Sequence, residues 1–153
     1  MVIAVGETSA TFTLSTGSEP GQTVLTIEAG VEILMEADTG FLISGALIAR
    51  GTTERKIHFG PASGTSPGSW SGLNFNDSSP EAQFNDNGDY IGGSILEHCV
   101  IQYGGGKGSA GQIVVLDSAP LITDCQISHG GKIGLYADKA LPDFRLRNCL
   151  ISG

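Results

Sequence analysis

Apolar and polar positions alternate along this chain in short runs, and no segment carries the long 3.6-residue stripe of an amphipathic helix. VLTI (24–27) and VEILME (31–36) alternate as half-buried strands do. TVLTIEAGVEILMEADTG (23–40) reads as two strands around an Ala-Gly turn. FLISGALIARGTTERKIHFG (41–60) reads as two or three more, with Gly45 and Gly51 at corners. Residues 1–22 read as a leading strand or cap, the strand at Thr8 to Leu14, with the regular pattern under way by Thr23.

The runs repeat. Aligning the cysteines superimposes SILEHCVIQYG (94–104), PLITDCQISHG (120–130) and FRLRNCLISG (144–153), with spacings of 26 and 24 residues. Each has an aliphatic residue three before the cysteine (Leu96, Ile122, Leu146) and an isoleucine two after it (Ile101, Ile127, Ile151). The position before the cysteine is His98, Asp124 or Asn148, types that tolerate tight turns. A second alignment joins GLNFNDSSP (72–80), IVVLDSAP (113–120) and GLYADKALP (134–142), and forms a column from Asp77, Asp117 and Asp138.

A unit of this length holds several short strands but no helix beside them, so each unit is a coil of strands. Stacked coils place equivalent residues about 4.8 Å apart. With the handedness preference of parallel crossovers, this predicts an all-β, right-handed, single-stranded parallel β-helix. One domain over residues 1–153 would contain about five to six coils. Residues 81–93 (EAQFNDNGDYIGG) stand outside the repeat as a surface insertion. Cys99, Cys125 and Cys149 then stack inward as small, reduced, poorly reactive hydrophobes, and the absence of any CxxC pair argues against a zinc or redox motif.

Composition narrows the partners. A net charge of −8 has the wrong sign for nucleic acid phosphates or anionic lipid. No apolar stretch approaches a membrane span. GGGKGSAG (104–111) lacks the spacing of a phosphate-binding loop. His58, His98 and His129 lie in separate units.

The sequence resembles the right-handed parallel β-helix proteins of the pectate-lyase-like superfamily, especially bacterial extracellular β-helix regions of unassigned activity. The His98, Asp124, Asn148 column is similar to that superfamily's asparagine ladder. GALIARGTTERKIHFG, then GSWSGLNF, then ILEHCVIQYGG resemble its opening coils. The resemblance covers about Thr23 to Gly153 and implies an extracellular or cell-surface location. It leaves activity open, because the fold hosts enzymes, adhesins and inert spacers.

Two functions of different class follow. The first is a non-catalytic scaffold or adhesion module that touches a polysaccharide or a surface protein. Its contacts would be Trp70, Phe84 and Tyr90, which offer flat apolar faces, and Asn85, Asn87 and Asp89 on the insertion, where loops on rigid scaffolds carry binding. The alternative is a polysaccharide lyase or glycoside hydrolase acting on acidic polysaccharide. The resemblance implies acidic residues holding calcium and a base, for which Asp124, Asp138, Asp143, Arg145 and Arg147 are the candidates. Arg145 and Arg147, two apart, leave a strand on the side opposite Leu146.

No cofactor is expected, with calcium as the one alternative. Asp77, Asp117 and Asp138 either cap their turns or collect calcium through hard oxygens. Asn85, Asn87 and Asp89 alternate as the first ligands of a calcium loop do, but Tyr90 replaces the glycine that loop requires and no closing glutamate follows. RLRNCLISG (145–153) ends on the Cys149 coil without a covering element. That predicts self-association through this end or continuation into a longer chain.

Overall fold

A computed structural model describes residues 23–140 and 142–153, and the backbone of residues 12–16. Of the expected leading segment, Phe12 to Leu14 fall in a strand, and residues 1–11 and 17–22 lie outside the described residues.

β1 (Phe12–Thr16) pairs antiparallel with β2 (Thr23–Ile27). From β2 the chain winds as a right-handed parallel β-helix of about five coils. Coil one continues through β3 (Glu32–Met35) and β4 (Gly40–Ile43), and coil two is β5 (Ala46–Arg50), β6 (Ile57–Pro61) and β7 (Gly72–Phe75). An arm of β8 (Gln83–Phe84) and β9 (Tyr90–Gly92) interrupts the winding. Coil three is β10 (Ile95–Glu97), β11 (Cys99–Gln102) and β12 (Gly111–Leu116), and coil four is β13 (Leu121–Thr123), β14 (Gln126–Ser128) and β15 (Ile133–Asp138). Coil five contributes β16 (Arg145–Arg147) and β17 (Leu150–Ile151). Three parallel walls result, ordered β2-β5-β10-β13-β16, β3-β6-β11-β14-β17 and β4-β7-β12-β15.

Alternation within each strand decides which residues fill the interior. One column of the second wall is Ile33, Phe59, Ile101, Ile127 and Ile151. A column of the first wall is Ile27, Ala49, Leu96, Ile122 and Leu146. In the third, Phe41, Leu73, Ile113 and Leu135 align. Most of these side chains are fully buried and form one continuous core.

The cysteines stack as the repeat predicts. Val100 pairs with Gln126 and Gln126 with Leu150, which brings Cys99, Cys125 and Cys149 into line after Ile57. All three are free thiols. Each donates to the carbonyl two residues earlier, across the corner, and to one in the coil beneath. Cys125 reaches Thr123 at 3.2 Å and Leu96 at 3.5 Å; Cys149 reaches Arg147 at 3.1 Å and Ile122 at 3.7 Å. The thiol of Cys125 is pushed up although its contact with Cys149 pulls downward, because the contact with Cys99 and burial outweigh it. Cys149 is raised by its contact with Cys125 and by burial, so neither offers the thiolate that reactivity needs.

Corners are single left-handed residues. His98, Asp124 and Asn148 have φ of 48°, 55° and 49°. Backbone hydrogen bonds link the coils along this column: His98 N–H donates to Thr123 O and Asp124 N–H to Arg147 O. Gly51 stands at the equivalent corner below, where a Cβ would lie 2.6 Å from the His98 carbonyl.

The aspartate column is corrected. Leu116, not Asp117, pairs with Asp138, so Asp117 aligns with Lys139, and these two share the left-handed position at φ 48° and 51°. Matching aspartate to aspartate slips the alignment by one residue, because Asp77 and Asp117 stand three residues before a proline and Asp138 stands four before one. Inward Leu73, Ile113 and Leu135 fix the true register, since a one-residue slip would turn every side chain to the other face. Capping is corrected too: Asn76 Oδ1, not an Asp77 carboxylate, accepts the Ser78 N–H.

Candidate functional site

The arm leaves the corner after β7 and returns before β10, and its root is a buried polar knot. Ser79 and Ser94 hydroxyls lie 2.9 Å apart, and Ser118 Oγ donates to Ser79 O. Ala82 N–H bonds to Ala119 O and Ser94 N–H to Pro80 O. Gly93, at φ +86°, closes the root where any Cβ would run into the Glu81 carbonyl. Left-handed φ and the contact together require glycine there.

From this root the hairpin lies over the outer face of the first wall. Phe84 and Tyr90, with Ile48, pack against Ala82, Ile95 and Leu121. The Arg50 guanidinium sits 5.5 Å from the Tyr90 ring centre and forms an ion pair with Glu97 at 2.6 Å. Tyr90 OH donates to Gly93 O at 2.7 Å; burial raises its pKa, Arg50 works against the rise and Glu97 adds to it. At the other end, Arg145 lies 3.6 Å from the Phe84 ring centre and Arg147 5.7 Å. The arm thereby contacts coils two to five.

Between the arm and coil five runs an open groove of about 560 Å³, lined by Glu81, Gln83, Phe84, Asn85, Asp143 and Arg145. Phe84, Asn85, Asp143 and Arg145 were candidates from sequence. Glu81 and Gln83 were not, although both fall in the 81–93 insertion and stand two apart beside Phe84. Asn87, Asp89 and Tyr90 belong to the same arm outside this lining.

Trp70 is corrected as a contact residue. It is fully buried, its Nε1–H donates to the Gln102 carbonyl at 2.7 Å, and the Gly104–Gly106 turn covers it. The glycine-rich segment thus supplies close backbone packing around this residue: a Cβ on Gly104 would lie 3.4 Å from the indole Cε2, and one on Gly106 would meet the Trp70 carbonyl at 2.8 Å.

Asn85, Asn87 and Asp89 form a self-capped turn. Asn85 Oδ1 accepts the N–H groups of Asn87 (3.0 Å) and Asp89 (2.9 Å), and Asn85 Nδ2 donates to Asp89 Oδ2 at 3.0 Å. These oxygens are engaged within the turn. With Asp138 displaced from the aspartate column as well, melting curves in EDTA and in excess calcium are expected to superimpose. A fall of more than about 10 °C in EDTA, reversed by calcium, would assign these groups as ligands.

The acidic lyase candidates are dispersed. Asp124 occupies the corner between β13 and β14, Asp138 ends β15, and Asp143 precedes β16. Among the described residues no group of three or more His, Cys, Asp and Glu side chains is placed to hold a metal ion. Also among them, no helix is long and apolar enough to cross a membrane. Comparison with protein-family models, curated proteins and solved structures found no match.

Proposed function

We propose that this chain is a non-catalytic β-helix segment of an extracellular or cell-surface protein, a rigid scaffold whose arm groove contacts a glycan. The groove carries this reading. Two segments far apart in sequence, Glu81–Asn85 and Asp143–Arg145, bring polar side chains together over the outer face of the first wall. Arm and wall are both held firmly, so little ordering would oppose a ligand. The likeness to pectate-lyase-like surface regions agrees with this placement.

A glycan array probed with and without calcium, with every hit assayed for reducing ends and unsaturated products, tests the reading. Capture without turnover is expected. Gln83→Ala should weaken it about tenfold while leaving the melting temperature in place, and Arg145→Ala should weaken it at least as much, since it also removes the contact that holds Phe84. Turnover of an acidic polysaccharide would replace this proposal with the lyase or hydrolase.

Coil five presents a second contact surface. Leu146 and Ile151 from the interior columns are each 42% exposed, and β15, β16 and β17 are the outermost strands of their walls. Self-association here would cover them.

A further inference from the structure

A second cleft, of about 200 Å³, opens on the outer face of the second wall, away from the arm. Its floor exists because of one residue. The outward column there reads Leu34, Gly60, Gln102 and Ser128, so Gly60 leaves a gap between two side chains. A Cβ built on Gly60 meets nothing within 4 Å. Pro61 at the end of β6 and Gly64 and Thr65 beyond it line this gap, while Glu32 and His58, paired in register on β3 and β6, line it from the start of those strands.

The far wall is Tyr103, whose ring stacks on His129 with centres 5.1 Å apart and planes 28° from parallel. Among the described residues, eight non-glycine residues have positive φ. Seven are Asp, Asn, His or Lys, and Tyr103, at 61°, is the exception. A bulky side chain is disfavoured there, and the half-buried ring packs against the edge of the core while also lining the cleft. Beside it, Gln102 is immobilised at both ends. Its carbonyl accepts the Trp70 indole N–H, and its Nε2 donates to Ser128 Oγ, which contacts His129 Nδ1 at 3.1 Å. With Nε2 engaged in this way, Gln102 Oε1 is left as an acceptor on a residue that lines the cleft.

We propose that this cleft is a binding site for a single neutral hexose unit. The ring's apolar face would lie on Tyr103 and Pro61, and its hydroxyls would donate to the Glu32 carboxylate and Gln102 Oε1. The chemistry is that of an uncharged polyol. A fixed aromatic face suits the C–H side of a pyranose, whereas the acceptors present, one of them an anion, suit hydroxyl donors and repel carboxylate or sulfate. The site is separate from the arm groove and does not rest on it.

Titrating the isotope-labelled protein with the methyl glycosides of glucose, galactose and mannose tests this by amide chemical shift. At least one glycoside is expected to move Gly60, Gln102 and Tyr103 saturably. Gly60→Leu should fill the cleft and abolish those shifts with melting unchanged. Glu32→Gln, at an exposed position, should weaken binding about tenfold and gives the same reading if the leucine variant is unstable. Arg145→Ala should leave the shifts intact. Failure of all three glycosides, or binding that survives both Gly60→Leu and Glu32→Gln, would overturn the assignment. Shifts lost only with Arg145→Ala would place the sugar in the arm groove and overturn it equally.

Discussion

Trp70→Ala is expected to lower the unfolding free energy by about 3–5 kcal/mol, the range for removing a fully buried aromatic side chain. Trp70 is wholly enclosed between the core and the Gly104–Gly106 turn. Alanine would remove the indole from a site that cannot easily collapse, because Gly106 already lies against Gly68 and Trp70 backbone atoms. The Gln102 carbonyl would also lose its indole donor. Urea denaturation followed by far-ultraviolet circular dichroism measures the loss, since the variant has no other tryptophan to report by fluorescence. Trp70→Phe keeps most of the volume and should cost about 1–3 kcal/mol, mainly from the missing N–H. A cost below about 1 kcal/mol for the alanine variant would show that the glycine turn closes over the gap.

Ile101→Ala should cost about 2–5 kcal/mol, while the same change at Ile151 should cost about 1 kcal/mol or less. The two residues belong to one column, two coils apart. Ile101 is fully buried with a coil on either side, whereas Ile151 is 42% exposed on the outermost coil. The isoleucine removed is the same, so the difference measures what a covering coil adds, as expected when each repeat is stabilised by its neighbours. Trp70 fluorescence can follow both variants. Equal costs would show that the outer face of coil five is covered in solution.

The coils were legible because a parallel β-helix writes its third dimension into its period. Equivalent positions of successive coils touch, so the 26- and 24-residue cysteine spacings are also contact distances, and the Leu96, Ile101 and Cys99 columns followed from one alignment. The same reasoning fails at Asp138, because residue type is a poorer guide to register than strand alternation: Asp138 still lies in its strand, level with Leu116, and Lys139 occupies the corner that Asp117 fills one coil below.

The candidate sites were less legible, and for a different reason. Residues 81–93 stand out in the sequence because they break the period, but a break carries no information about where the arm lands. That Phe84 meets Arg145 and Arg147, that Tyr90 meets Arg50, and that Glu81 and Gln83 share a groove with Asp143 depend on the arm crossing four coils of wall. Trp70 shows the same limit: an aromatic residue after a glycine-rich stretch reads equally as a ligand platform or as core until the Gly104–Gly106 turn is seen to cover it. Sequence alone determined the repeat, the walls and the inward columns, because those interactions link residues one period apart. Tertiary structure alone decided which side chains are enclosed and which line a groove, because enclosure depends on segments that follow no period.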